Sequence, residues 1–240
     1  MPKFFVGEDC FSGNHIELTC ETAHHIINVL RHRIGDEIIL CDGKCTDYVT
    51  KLVMYESRNK NAKARFEVIE TKKCLTEPGI FVRLYQSVIK WENFDFAIQK
   101  SVEVGASEIV PVVTSRSIYR MSDVKKKMPR FNRIAKSAAE QSMRGIVPKV
   151  VEPKALCDTQ KDKDAAAFFA CCDEKVSLAG RLHNLKFEKA DLWVGPEGGF
   201  TDLEKESLLA KMIIPFGLGP RVFRSETASI VSIACIQMLL

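Results

Sequence analysis

DLWVGPEGGFTDLE at residues 191–204 and PFGLGPRVFRSETA at 215–228 decide how this chain is read. The first runs from an apolar strand into Gly195, a Pro-Glu turn and two glycines. A helix then starts at Thr201, with Glu204 three residues on in capping-box position. The second sets Gly217 and Gly219 around Leu218, followed by Pro220, Arg221 and Arg224, with Ser225 placed to cap the last helix. In α/β sheets, ligands bind beyond the carboxyl ends of strands. Glycines there let the backbone turn sharply and come close to a bound molecule. A single glycine pair after a strand is more often a tight connection than a ligand cradle. Two such loops on neighbouring strands, carrying Glu197, Arg221, Arg224 and Glu226, read as a binding site. No G-x-x-x-x-G-K-S/T occurs, which argues against a P-loop hydrolase, and no G-x-G-x-x-G follows an early strand, which argues against ordinary dinucleotide binding.

Working outward, residues 80–240 alternate strands and helices. IFVRLYQS reads as a strand, followed by a helix over 92–104 stopped at Gly105. EIVPVVT is a strand, and a basic helix follows around 129–143. AAAFFACC, DLWVG and MIIPFG are further strands, and ETASIVSIACIQMLL is an apolar closing helix. This alternation predicts a mainly parallel sheet.

Residues 1–72 have a different texture. KFFV, HIEL, EIILC, YVTKLVM and ARFEVIE are short β segments separated by polar turns. ETAHHIINVLRHR at 21–33 carries apolar residues at helical spacing. A small barrel-like β domain with one helix is expected, and CLTEPG at 74–79 is the linker.

The net charge is +4, but residues 116–154 hold eleven Lys/Arg against three acidic residues. Such a concentration suits a phosphate backbone and equally suits a solvated helix face. The nine cysteines show no zinc-ligand spacing, so they are expected to be reduced thiols with no metal bound. The N-terminus lacks signal-peptide character, and the apolar run at 165–172 is too short to cross a bilayer, so a cytoplasmic protein without a membrane partner is expected.

VGPEGGFTDLE and LGPRVFRSETA together resemble the C-terminal signature of the bacterial 16S rRNA (uridine-N3) methyltransferases, a family of the SPOUT superfamily. HHIINVLRHRIGDEI at 24–38, FAIQKSVEVGASEIVPVVTSRS at 96–117 and IAKSAAEQSMRGIVPKV at 134–150 extend the resemblance, in order, over nearly the whole chain. The resemblance implies an α/β fold with an N-terminal PUA-like RNA-binding β-barrel over residues 1–73. It also implies a C-terminal SPOUT domain over 76–240 whose last segments form a trefoil knot. It implies a homodimer acting on ribosomal RNA of the small subunit.

By resemblance, S-adenosyl-L-methionine would lie against Val194, Gly195, Pro196, Glu197, Gly198 and Gly199, and against Gly217, Leu218, Gly219 and Arg221. Methylating uracil N3 requires loss of its proton. Arg221 and Arg224 suit the charge that then develops on the carbonyl oxygens. Glu197 or Glu226 could accept the proton; each could instead serve only its own loop or helix. Arg31 and Arg33, with His32 between them, and Arg116, Gln141 and Arg144 are the expected RNA contacts. The chain departs from the family pattern at Lys3, where arginine is common, at Ser115, where glutamate is usual, and at Met143, where glycine is usual, with a glycine displaced to 145. A 2′-O-ribose RNA methyltransferase and a non-catalytic RNA-binding assembly factor are the competing readings.

Overall fold

The computed structural model describes residues 1–58 and 61–239, and divides them into two compact units. Unit 1 comprises Met1–Glu77 together with Ala139–Val147, and unit 2 comprises Pro78–Ala138 and Pro148–Leu240.

Unit 1 is built on a six-stranded sheet. Its elements are β1 (Lys3–Phe5), β2 (Phe11–Ser12), β3 (His15–Thr19), α1 (Cys20–His24), β4 (Glu37–Cys41), β5 (Thr46–Arg58) and β6 (Asn61–Lys73). The strand order is β1-β4-β5-β6-β3-β2, with β1 parallel to β4 and every other pairing antiparallel. Alternate residues face the core: Ile16 and Leu18, Ile38 and Leu40, and Ala62, Ala64 and Phe66. Ala23, Ile26 and Ile27 close this core from the helix, as the 3–4 spacing requires.

The helix is shorter than its sequence suggests. After α1 the chain makes a π-helical turn over His25–Val29, and Arg31 then adopts φ 61°. A left-handed residue ends a helix, so Arg31 and Arg33 lie in irregular chain beyond it, both exposed.

Residues 139–147 complete unit 1 through polar contacts. Lys3 is 3% exposed; its ammonium pairs with Asp47 at 2.7 Å and donates to the carbonyl of Met143 at 3.2 Å. The Glu77 carboxylate receives Arg144 Nη2 at 2.7 Å and the N–H groups of Gly145 and Ile146. Burial raises the pKa of Glu77, but the guanidinium and the two N–H groups outweigh burial and leave it lowered. Met143 holds φ 61°, a conformation that favours glycine.

Unit 2 is a seven-stranded, wholly parallel sheet. It comprises β7 (Phe81–Ser87), α2 (Trp91–Glu103), β8 (Glu108–Val113), α3 (Met121–Gln141), β9 (Lys149–Val150), β10 (Lys154–Ala155), β11 (Ala166–Ala170), α4 (Leu178–Leu182), β12 (Lys189–Val194), α5 (Asp202–Ala210), β13 (Ile214–Phe216) and α6 (Ser225–Leu239). The order is β10-β8-β7-β12-β11-β13, with β9 also on β8. Strands covered on both faces read as continuous apolar runs, as in the expected segments at 109–113 and 165–172. Tyr85 and Trp193 stack at 4.1 Å in the interior, and Trp193 Nε1 donates to Thr159 Oγ1 at 3.1 Å.

The basic helix α3 starts eight residues before the expected position and passes through Pro129. Its last residues, from Ala139, group with unit 1.

Candidate functional site

The site forms where β12 and β13 end, both being parallel strands whose carboxyl ends lie on the same edge. After Val194 the chain enters the first glycine loop. Gly199 has φ 68°, and its N–H donates to the carbonyl of Pro196 at 2.8 Å, closing the turn. A Cβ on Gly195 would come within 3.3 Å of Gly199 Cα and of the Phe200 nitrogen, so the loop folds tightly on itself. Thr201 then caps α5: its side chain accepts from Glu204 N–H, and the Glu204 carboxylate accepts from Thr201 N–H at 2.8 Å. The other oxygen of Glu204 accepts the N–H of Ser115 at 2.8 Å. Burial raises the pKa of Glu204, but hydrogen bonds from Ser115 and Thr201 bring it below the ordinary carboxylate value.

Arg116, next to Ser115, donates through Nη1 to the carbonyl of Gly198. The end of β12 is also held from α6. Ser225 Oγ donates to the carbonyl of Gly195 at 2.6 Å and accepts from Gln86 Nε2 at 2.9 Å, while Ser229 donates to Gln86 Oε1. These polar groups are buried and mutually satisfied, which fixes the cavity wall.

The second glycine loop begins at the end of β13. A Cβ on Gly217 would sit 2.2 Å from the carbonyl oxygen of Glu174, so only glycine fits. Gly217 N–H donates to Val176 O at 2.9 Å and Leu178 N–H to Gly217 O at 3.0 Å, clamping the loop to the chain before α4.

The two loops enclose a cavity of about 470 Å³. Val194, Gly195, Pro196, Glu197, Gly198 and Gly199 line it from one side, and Leu218, Gly219, Arg221 and Arg224 from the other, with Arg116 between. Gly217, expected on the cofactor, is buried and does not line the cavity; its role is the close packing against Glu174. Glu197, Arg221 and Arg224 are exposed. Glu226, the alternative proton acceptor, is 6% exposed on the first turn of α6, does not line the cavity, and has one carboxylate oxygen without a partner.

Sequence reasoning missed Cys171, Cys172, Asp173 and Lys205, which also line the cavity. Lys205 pairs with Asp173 at 3.0 Å. The signal was present, because Cys171–Asp173 follow β11, the strand lying between β12 and β13. The rule about carboxyl ends applies to that strand as much as to its neighbours.

In unit 1, Arg31, Arg33 and Gln141 are exposed. Arg144 was expected on RNA; it is 3% exposed and its guanidinium is committed to Glu77. Among the described residues no group of three His, Cys, Asp or Glu is placed to hold a metal ion, and no helix is long and apolar enough to cross a membrane.

Residues 76–237 match the family model of the RNA methyltransferase domain, and residues 18–54 match that of the RNA methyltransferase PUA domain. The chain is 32% identical to ribosomal RNA small subunit methyltransferase E of Bacillus subtilis (strain 168), over 92% of this chain and 88% of the relative. It is 33% identical to the protein of that name from Mesomycoplasma hyopneumoniae (strain 232), over 96% of each. The crystal structure of a ribosomal RNA small subunit methyltransferase E from Neisseria gonorrhoeae, bound to S-adenosyl methionine, superposes with a TM-score of 0.87 at 29% identity, covering 100% of this chain and 98% of that one.

Proposed function

We propose the reaction from one premise: this chain belongs to the family of ribosomal RNA small subunit methyltransferases E, with an RNA methyltransferase domain and a PUA domain. The reaction is transfer of a methyl group from S-adenosyl-L-methionine to N3 of a uridine in 16S ribosomal RNA, in the cytoplasm. The observation that carries it is the cavity between the two glycine loops, whose volume of about 470 Å³ falls in the range of small-molecule sites.

The residues present fit the cofactor. Gly195 and Gly199 bring main chain against the space a nucleoside would fill, and Val194, Leu218 and Phe216 give it apolar walls. Val194–Gly199 and Leu218–Arg221 would hold it. When bound, S-adenosyl-L-methionine supplies a methyl group made electrophilic by its sulfonium.

The chain's own groups meet the demands of the base. Uracil N3 is nucleophilic only after it loses its proton, so negative charge spreads onto the carbonyl oxygens. Arg221 and Arg224, exposed on the wall of the cavity, present guanidinium donors to that charge. Glu197 lines the same cavity and is the favoured proton acceptor at its carboxylate, directly or through water. Arg116 holds the Gly198 carbonyl, and the Ser225–Gln86–Ser229 chain holds Gly195, so the loop is braced at both ends by groups of the chain itself.

Two copies of the chain form the working enzyme; Met238 and Leu239, 83% and 56% exposed at the end of α6, are apolar surface suited to such contact. The test is nucleoside mass spectrometry of small ribosomal subunits treated with enzyme and S-adenosyl-L-methionine. N3-methyluridine is expected. A ribose-methylated product would replace this reading with the 2′-O-methyltransferase, and no product with no cofactor binding would leave an RNA-binding assembly factor.

A further inference from the structure

Trp91 and Tyr119 stack face to face, with ring centroids 3.8 Å apart and planes 17° from parallel. Both are only half-buried. The other stacked pair of unit 2, Tyr85 with Trp193, is 3% and 0% exposed and belongs to the core. The Trp91–Tyr119 pair is therefore built at the surface, where two large apolar rings gain little unless something covers them.

The pair is firmly mounted. The Trp91 ring leans on fully buried Phe131 at 6.1 Å, and Lys127 Nζ lies 5.6 Å from its centroid. Tyr119 makes one aromatic contact among the described residues, that with Trp91.

The position relates the pair to the cavity. Trp91 follows Lys90, whose N–H reaches Glu197 Oε1 at 3.5 Å, and Tyr119 lies three residues beyond Arg116, which touches Gly198. Three residues span at most about 11 Å of chain. Both aromatic residues thus hang from segments that touch the first glycine loop. Around them the charge is one-sided. Residues 116–136 carry eight Lys/Arg against the single acid Asp123. Arg120, Lys125, Lys126 and Arg133 are exposed, and Arg130 is paired with Asp95.

We propose that Trp91 and Tyr119 form a stacking platform for an unpaired RNA base adjoining the methylated nucleotide, with the cations of α3 holding the phosphates on either side. Aromatic faces accept any base, and cationic flanks accept the backbone without reading sequence. The proposal rests on RNA being the substrate, and assigns where the strand leaves the cavity.

The test uses the full chain. Tyr119→Ala should raise KM for small-subunit particles about tenfold, the scale of one lost base–aromatic stack. KM for S-adenosyl-L-methionine should stay within twofold, and Tyr119→Phe, which keeps the ring, should restore the RNA KM. Of the two tryptophans, Trp193 is fully buried, so quenching of emission by a short single-stranded oligoribonucleotide should come from Trp91 and vanish in Trp91→Phe. An unchanged RNA KM in Tyr119→Ala, with only a lowered Tm, would reduce the pair to packing and overturn the proposal while leaving the reaction standing. A wild-type chain that methylates no RNA would overturn both.

Discussion

Glu204 Oε1 accepts the backbone N–H of Ser115, 89 residues earlier in the chain, at 2.8 Å. Because its other oxygen caps α5 at Thr201, this single carboxylate joins the first glycine loop to the turn that bears Arg116. Glu204→Ala should lower stability by about 1–2 kcal/mol, the scale of a lost cap and hydrogen bond. It should also slow methyl transfer, since Arg116 loses its anchor. Chemical denaturation and single-turnover rates check both; an unchanged rate would mean that the Arg116 turn holds its place without Glu204.

Arg224 lines the cavity and is exposed. Arg224→Ala should reduce the rate of labelled-methyl transfer by at least about 100-fold, as removal of a positioned charge stabiliser does. Lysine should not restore it, because it lacks the planar fork. A near-normal rate in the alanine variant would remove Arg224 from the chemistry.

Glu77 titrates below its ordinary value in the folded chain because Arg144 and two N–H groups hold its anion. A carboxylate with a lowered folded pKa binds fewer protons folded than unfolded near that value. Its stabilisation is present above about pH 4.5 and is lost as pH falls through the folded value. Glu77→Gln should cost about 3 kcal/mol at neutral pH, because buried Arg144 loses its counter-charge. It should also flatten the acid side of the stability profile. Melts from pH 7 down to pH 3 check this; parallel profiles for the two proteins would exclude Glu77 as a source of acid sensitivity.

Met143 and Gly145 carry opposite expectations two residues apart. Met143→Gly relieves a left-handed residue and should raise stability by up to about 1 kcal/mol. Gly145→Ala would place a Cβ 2.9 Å from Cys74 Cβ and Sγ and should lower stability by about 1–3 kcal/mol. Thermal melts of both variants decide whether the turn tolerates a side chain at either place.

Much of this architecture is legible in the sequence because it rests on local patterns. The apolar runs that became β7, β8, β11 and β12 needed no partner to be seen, and the Thr201–Glu204 capping box is three residues wide. Helix boundaries were harder. Pro129 has no N–H to give and reads as a start, yet α3 runs through it from Met121. Arg31 ends its helix early by adopting a positive φ that no neighbouring residue announces. The role of Arg144 depends on Glu77, 67 residues away, in a segment that reads as a linker. The role of Gly217 depends on a carbonyl at Glu174. Residues that act through distant backbone atoms leave no mark on their own sequence neighbourhood.

The sheet order of unit 2 has a bearing on how the chain is made. Strand β7 takes β12 as one neighbour, pairing Leu84 with Leu192 and Tyr85 with Trp193. A ribosome adding 5–20 residues per second needs about 5–20 s to cover the hundred residues between them. During that interval one edge of β7 is open and apolar, while the β5–β6 hairpin of unit 1 can close on itself at once. The nascent chain should therefore form this hairpin early, complete unit 1 only once residues 139–147 have emerged, and keep an apolar strand edge of unit 2 open until Val194 has left the exit tunnel.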